Sequence, residues 1–294
     1  MSGAVHFCVD ASGDWASDAS DMMECFELLP GRAVPFHIVA RGACWFQMGS
    51  ERVDLLPDDV IAFPTAAPHI AGCGTGQNEL DPLESLPTPP WPDIPVIEHQ
   101  SSDTSVRIHC GFFTCSAFSF PLLARSLPDV LVGRAGQDET SWFRSTIRQI
   151  DNAIANTHSA TIERLCEAML VQMLEQHLTT SADKGWVAAA ADPVAGRVLA
   201  ALHEDPDRNW TLDSIAESAG ASRSVVAERF STKLGISPVA YLRDWRLHQA
   251  ALALTDGDQP IAEIAYAANY QSEAAFSRAF SRHYGMPPGA WRAK

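Results

Sequence analysis

The sequence predicts an α+β protein, with strands in its N-terminal part and only helices in its C-terminal part. Three patterns indicate this class. Residues 34–72 are rich in aromatic and β-branched residues and carry turn signals at intervals of roughly ten residues, as short strands do. Residues 141–180 repeat apolar side chains at the spacing of amphipathic helices. Residues 211–284 contain one helical pattern twice.

The N-terminal strands are predicted from residue 34 onward. The run VPFHIVARGACWFQM alternates in polarity, and proline-bounded apolar runs follow it. Short strands at this spacing favour a sandwich or a small barrel. Residues 74–103 contain six prolines and are predicted to form a loop, because proline is excluded from central strands. Strand character resumes at residues 106–118, and we assign residues 1–135 to this domain.

Two amphipathic helices follow, within residues 136–185. Phe143, Ile147 and Ile150 lie on one stripe of the first helix. Such a stripe could pack against the strands or form a dimer interface, and the sequence leaves both open. We interpret this segment as a helical linker and a candidate dimerisation segment.

Residues 190–294 contain the repeated pattern. In segments 211–234 and 260–284 an Ile-Ala pair, Ile215-Ala216 or Ile264-Ala265, opens an apolar turn, a short break follows, and a serine can then cap a second helix. This is the sequence form of a helix-turn-helix, whose second helix fits the major groove of DNA. A long predicted helix at 237–254 separates the copies. The segment therefore predicts an all-α domain with two helix-turn-helix motifs.

Charge and cysteine content limit the setting in which the chain works. The net charge is −15, yet residues 190–294 hold 11 Lys and Arg residues against 12 Asp and Glu residues, so the excess acid lies in residues 1–189. A near-neutral helical domain is consistent with modest, salt-sensitive binding to phosphates. Seven cysteines without disulfide-framework spacing, no secretory signal and no long apolar run predict a cytoplasmic protein outside the membrane.

A family resemblance appears in the C-terminal part. The run PVAYLRDWRLHQAALAL, followed by IAEIAYAANYQSEAAFSRAFSRHYGMPPGAWR, resembles the signature of the AraC/XylS family of bacterial transcription regulators. The resemblance covers about 100 residues and implies that a long central helix spaces two reading helices by one turn of DNA, about 34 Å. It implies double-stranded promoter DNA and RNA polymerase as partners, a homodimer, and no enzymatic activity.

The same resemblance indicates which residues face the DNA. Arg223 and Arg278 can form forked hydrogen bonds with guanine. Glu273 lies in the first turn of its helix, where the helix dipole favours an acid. Carried over by position, the groove-facing residues of the two reading helices are Arg223, Ser224, Ala227 and Glu228, and Glu273, Ala274, Ser277 and Arg278.

The N-terminal part resembles the cupin-like β-barrel sensor domain that precedes this DNA-binding module in one AraC subfamily. The matching runs are FHIVARGACWF, LLPDDVIAFPTAAPH and HCGFF. Catalytic cupins carry a His-x-His pair with a carboxylate in the first of these motifs, whereas here Val39 stands where the second histidine would be. A cupin-type metal-dependent enzyme with an appended helical domain is therefore the alternative function, and the less favoured one.

A set of histidines and cysteines remains in this domain. His37, His69 and Cys110, with Cys73 close to His69 in sequence, could converge inside a small barrel. Two imidazoles with one or two thiolates would suit Zn²⁺, and a thiol with a lowered pKa would instead sense oxidants. Simple packing of buried residues is the third interpretation. His109 and Cys110 are adjacent, so on a regular strand only one of them faces inward.

These observations lead to one preferred function and two rivals. The preferred hypothesis is a sequence-specific DNA-binding transcription regulator whose N-terminal domain senses a small-molecule, metal or redox signal. The first rival is the cupin-type enzyme. The second is a binding protein whose helical half contacts another protein, which the acidic net charge favours.

Overall fold

The structure is a computed structural model that describes residues 2–18, 22, 33–87, 91–100, 105–114, 120–136, 141–156, 159–180 and 184–293. The chain divides into two compact units. The first comprises Met1–Ser119 and Leu127–Thr180, and the second comprises Phe120–Ser126 and Ser181–Lys294. The short segment Phe120–Ser126 therefore belongs to the second unit, although the chain on both sides of it belongs to the first.

The first unit contains two sheets. Its strands are, in chain order, β1 (Ser2–Ala11), β2 (Trp15–Asp18), β3 (Ala33–Arg41), β4 (Cys44–Met48), β5 (Glu51–Leu55), β6 (Val60–Ala62), β7 (Ile70–Cys73), β8 (Val96–His99), β9 (Val106–Thr114) and β10 (Leu131–Gly133). The larger sheet has the order β10-β6-β3-β9-β1-β8, and the smaller sheet has the order β2-β7-β4-β5. Both sheets contribute to one apolar core, which includes Trp15, Phe46, Ile61 and Phe112. The predicted β-rich domain is confirmed.

One strand lies where the sequence predicted a loop. Within residues 74–103, β8 pairs in parallel with β1 and forms an edge of the larger sheet. Pro95 directly precedes this strand, and its carbonyl accepts a hydrogen bond of 2.9 Å from the backbone N–H of Cys8. The prediction was wrong at this point because proline excludes a segment from the middle of a sheet but not from its edge.

The helices are, in chain order, α1 (Pro82–Ser85), α2 (Pro121–Ala124), α3 (Trp142–Ala155), α4 (Ser159–Thr180), α5 (Trp186–Ala191), α6 (Ala195–Glu204), α7 (Leu212–Ser218), α8 (Arg223–Leu234), α9 (Pro238–Asp256), α10 (Ile261–Ala267), α11 (Glu273–Tyr284) and α12 (Pro288–Arg292). Helices α3 and α4 pack on the larger sheet, α3 beside β3 and α4 beside β1. The predicted stripe of α3, formed by Phe143, Ile147 and Ile150, is buried in this packing. None of the helices in the described part of the chain is long and apolar enough to cross a membrane.

Helix α9 connects the two halves of the second unit. Its N-terminal residues Tyr241 and Leu242 belong to the core formed with α6, α7 and α8. Its residues Leu247 and Leu254 belong to a second core, formed with α10 and α11. One helix thus supplies apolar side chains to both helix-turn-helix motifs. The predicted all-α C-terminal region is confirmed.

Candidate nucleic-acid interface and barrel cluster

The first helix-turn-helix is shaped by local signals. The Thr211 hydroxyl accepts from the backbone N–H of Ser214, and this capping box starts α7. Gly220 has a φ of 59°, a left-handed conformation that favours glycine, and it turns the chain between α7 and α8. The Ser222 hydroxyl then accepts from the N–H of Val225 and caps α8. Arg223 and Ser224, in the first turn of α8, are exposed.

The second motif repeats the left-handed turn and the serine cap, with asparagine in place of glycine and one more residue before the serine. Asn269, with a φ of 64°, stands where the first motif has glycine. Its side-chain amide donates to the carbonyl of Asp207 at 3.3 Å and to Asn209 Oδ1 at 3.0 Å, which offsets the cost of the left-handed backbone. The Ser272 hydroxyl accepts from the N–H of Ala275 and caps α11. The two motifs therefore share the turn and the cap of the reading helix, whereas α10 begins after Pro260 without a side-chain cap.

Burial separates the two faces of each reading helix. Val226 and Phe230 of α8, like Phe276 and Phe280 of α11, are 0% exposed and hold the helices to their cores. The opposite faces contain the residues predicted to read DNA. Exposed on these faces are Arg223, Ser224, Glu228, Glu273, Ala274 and Arg278, whereas Ala227 and Ser277 are partly buried.

Both arginines of α8 form ion pairs with aspartates of the same unit. Arg223 forms an exposed ion pair of 3.1 Å with Asp213 in the first turn of α7. Arg229, which the sequence reasoning did not select, pairs at 3.0 Å with Asp192. On α11, by contrast, Arg278 is exposed and has no ion pair or hydrogen bond among the residues that the structure describes. The two reading helices therefore offer unequal positive charge to a ligand.

The predicted barrel residues form a chain of hydrogen bonds. We name His37, His69 and Cys110 the barrel cluster. His37 on β3 is the register partner of Cys110 on β9, and its Nδ1 lies 3.1 Å from the Cys110 Sγ. The Nε2 atoms of His37 and His69 are 2.8 Å apart, and His69 Nδ1 lies 2.9 Å from the carbonyl oxygen of Ala67. The structure thus brings together three of the four predicted residues.

The direction of each proton follows from the carbonyl at one end. Because a carbonyl only accepts, His69 Nδ1 carries hydrogen and donates to Ala67, which leaves Nε2 of a neutral His69 as an acceptor. His37 Nε2 therefore donates to His69, and its Nδ1 accepts from the Cys110 thiol. Burial lowers the pKa of both histidines, that of His37 well below its ordinary value, and raises the pKa of Cys110. All three groups are neutral in this arrangement.

Aromatic residues surround the barrel cluster. The His69 ring stacks on Phe63 with centroids 3.7 Å apart, and the His37 ring lies 4.7 Å from that of Phe46. A small cavity of about 50 Å³ opens beside the two imidazoles and is otherwise lined mainly by apolar residues, among them Phe7. The site thus combines apolar walls with a short polar strip.

The four residues predicted as zinc ligands do not fit a zinc ion in this arrangement. His37 contacts Cys110 through Nδ1 and His69 through Nε2. Cys110 and His69 therefore lie on opposite sides of its ring. Two Zn–N bonds of about 2.0–2.1 Å in a tetrahedral site would hold their nitrogens roughly 3.3 Å apart, farther than the 2.8 Å observed. Cys73 instead directs its thiol to the Ala43 carbonyl at 3.7 Å.

No other donor completes a metal site in the described part of the chain. No group of three His, Cys, Asp or Glu side chains is placed there to hold a metal ion. Val39, where catalytic cupins have a second histidine, is fully buried in the core. The reactive-thiol interpretation of Cys110 also lacks support, because Cys110 is buried away from an oxidant and burial raises its pKa.

A second thiol–imidazole pair lies on the other face of the larger sheet and was missed by the sequence reasoning. His109 is the register partner of Cys8 on β1, and its Nδ1 lies 3.0 Å from the Cys8 Sγ. His109 Nε2 donates to Asp151 of α3 at 3.0 Å, and this hydrogen bond lowers the pKa of Asp151. Burial raises the pKa of Cys8 to about 12. Period-two alternation predicted that His109 and Cys110 face opposite ways, and they do.

Comparisons with known proteins agree with both halves of the structure. The helix-turn-helix domain family matches residues 215–294, and the cupin family matches residues 1–179. A protein from Streptomyces lividans that is named as an AraC-like transcription regulator is 33% identical over 276 residues, which are 89% of this chain and 87% of that protein. The HTH-type transcriptional regulator AlkR of Acinetobacter baylyi is 26% identical, over 97% of this chain and 92% of its own length.

A solved structure gives a local match. The crystal structure of the DNA-binding domain of AdpA, in complex with a target DNA, is 30% identical and covers 35% of this chain and 92% of that chain, with a TM-score of 0.33. The similarity of the Streptomyces lividans regulator extends over most of both chains, and the cupin match covers more than half of this one. The chain therefore belongs to the AraC-type family of DNA-binding transcription regulators and carries an N-terminal cupin domain.

Proposed function

We propose that the two capped helices α8 and α11 read promoter DNA unequally, and that α11 supplies the larger share of base recognition. The supporting observation is that Arg223 and Arg278 differ in their internal ion pairs. Arg223 must give up or share its ion pair with Asp213 before it can contact a base, whereas Arg278 has no such partner among the described residues. A guanidinium that is not engaged can place its forked donors on guanine without losing an internal contact.

The remaining parts of the proposal concern the signal and the assembly. The cavity beside the barrel cluster would admit a small, mostly apolar molecule. A hydrogen-bonding group on it would reach His37 or His69 only by displacing one partner from the hydrogen-bond chain of Cys110, His37, His69 and Ala67. Such an effector acts by binding two arrangements of the protein with different affinity. The regulator works as a homodimer and contacts RNA polymerase. Trp142 on α3 and Val171 on α4 are exposed apolar side chains that a dimer interface would cover.

The test compares Arg278→Ala with a matched arginine variant. Loss of a forked contact with guanine should cost about 1–3 kcal/mol, or about 5- to 150-fold in affinity, and should relax the preference at one base pair. Binding to fragments of the gene's upstream region is measured by fluorescence anisotropy. Arg125→Ala, which removes an exposed arginine outside both reading helices, should leave the affinity nearly unchanged.

The result also separates the rival functions. If Arg278→Ala binds every fragment with unchanged affinity and base preference, α11 does not read DNA as proposed. If the wild-type chain binds no fragment at any salt concentration, the helical half contacts something other than this DNA. Binding that does not weaken as salt rises would contradict phosphate contact altogether.

A further inference from the structure

Two cysteines of the smaller sheet lie directly opposite each other on neighbouring strands. In the antiparallel pair of β4 and β7, Trp45 lies opposite Gly72 and Phe46 lies opposite Ala71. Extending this register by one residue places Cys44, the first residue of β4, opposite Cys73, the last residue of β7. Residues directly opposite on antiparallel strands project to the same side of the sheet.

Three further observations place the two thiols together. Cys44 is buried in the core between the sheets, and Cys73 packs against the same core, so both side chains point inward. The Cys73 thiol donates to the carbonyl of Ala43, the residue just before Cys44, with a distance of 3.7 Å. Burial raises the pKa of Cys44 to about 12, and the charge of a Cys73 thiolate is the next largest contribution.

The spacing of such a pair suits a disulfide. Directly opposite residues have Cα atoms about 4.5 or 5.5 Å apart, and disulfides span Cα separations of about 4.4–6.8 Å. The Cβ atoms, about 4.5–5.5 Å apart in such pairs, must approach to about 3.5–4.5 Å. A movement of this size at the end of two short strands needs no change of register.

We propose that Cys44 and Cys73 form a reversible disulfide that fastens β4 to β7, and that this pair is an oxidation site of the cupin domain. Cys73 is partly exposed and reacts with the oxidant first. Cys44 is 5% exposed and reacts second, with the oxidised Cys73. The oxidant class is a two-electron peroxide. The cysteine pair is distinct from the barrel cluster. Formation of its disulfide does not depend on whether the chain binds DNA.

The chemistry balances in two steps. The Cys73 sulfur attacks one oxygen of hydrogen peroxide, the O–O bond breaks, and a sulfenic acid and one water form. The Cys44 sulfur then attacks the sulfenic sulfur, the S–O bond breaks, and a disulfide and a second water form. The two sulfurs are oxidised, the peroxide oxygens are reduced, and the two thiol protons leave in the waters.

Tryptic cleavage makes the test unambiguous, because each of these cysteines lies in a peptide with no other cysteine. Cys44 is in residues 42–52, and Cys73 is in residues 53–107. The purified full chain is treated with hydrogen peroxide, alkylated, digested without reductant and analysed by mass spectrometry. We expect the two peptides as one linked species, lighter than their sum by two hydrogen atoms and separated again by dithiothreitol.

Variants sharpen the outcome. Cys44→Ser should remove the linked species, and Cys166→Ser, which removes a cysteine buried in α4, should leave it intact. The proposal is overturned if peptides 42–52 and 53–107 stay unlinked in the wild-type chain while other cysteines are oxidised. It is also overturned if either peptide links instead to a third cysteine. The wild-type measurement decides both points even if a variant fails to fold.

Discussion

The ion pair between Asp213 and Arg223 should restrain DNA binding by the first reading helix. Both side chains are largely exposed, 73% and 64%, and their charged atoms are 3.1 Å apart. Asp213→Asn keeps the size of the side chain and removes its charge. Asp213 lies in the first turn of α7, so the change weakens a favourable contact with the helix dipole by about 0.3–1 kcal/mol and leaves the fold intact.

The expected gain in affinity follows from the exposure of the pair. Exposed ion pairs contribute about 0.2–1 kcal/mol, so releasing Arg223 should tighten DNA binding by about 1.4- to 5-fold. If the released guanidinium neutralises one more phosphate, the slope of log affinity against log salt concentration should steepen by about 0.9. The gain should be largest at low salt, where exposed charges are screened least.

A double-variant cycle tests this reasoning by fluorescence anisotropy. Asp213→Asn is measured in the wild-type background and in the Arg223→Ala background, and the gain should vanish in the second. Asp258→Asn removes the same charge from an exposed residue after α9 and controls for a general loss of repulsion. An equal gain in the Arg223→Ala background, or an equal gain from Asp258→Asn, would refute the account.

Two further predictions concern stability. The hydrogen bond with His109 lowers the pKa of Asp151 in the folded state. Asp151 therefore stabilises the fold at pH values above its unfolded pKa of about 3.9. This contribution to stability is lost as the pH falls through the folded pKa. Asp151→Asn should therefore lower the Tm near neutral pH and converge with wild type in acid; a Tm deficit that is constant across pH would contradict this. Phe120 is 2% exposed and lies edge-on to Tyr241 and Trp245, so Phe120→Ala should destabilise the second unit by about 3–5 kcal/mol in denaturant unfolding followed by circular dichroism, whereas a loss below about 1 kcal/mol would contradict its place in that core.

The helix-turn-helix motifs were predictable because their signals are local. Serine caps, an apolar period and a turn residue all lie within a few positions of each other, and the structure uses them at Ser222 and Ser272. The left-handed residue of the second turn is the exception, because Asn269 has no sequence mark as strong as Gly220. Its amide contacts reach back about 60 residues to Asp207 and Asn209, which no local pattern encodes.

The strands were harder to predict because their partners are distant in sequence. β8 follows a proline-rich run and gains its place only by pairing with β1. The sequence could state that His109 and Cys110 face opposite sides, but not which partner each would meet. That choice depends on the register of β9 with β1 on one side and with β3 on the other, which sets Cys8 beside His109 and His37 beside Cys110.

Register also decides which thiols can react. From the sequence alone Cys110 and Cys73 are grouped with His37 and His69 as a candidate metal or reactive-thiol site. In the folded chain the His37 imidazole beside Cys110 is buried and neutral, so it accepts a hydrogen bond from the thiol and leaves the proton on sulfur. Among the described residues Cys44 and Cys73 have no imidazole partner, but extending the register of β4 and β7 by one residue places them opposite each other, and Cys73 is partly exposed. A pair can complete an oxidation that a single buried thiol cannot, because the second sulfur displaces the oxygen from the first. In the proposed disulfide, the pairing of two cysteines across the strands, rather than the acidity of either one, determines where an oxidant would act.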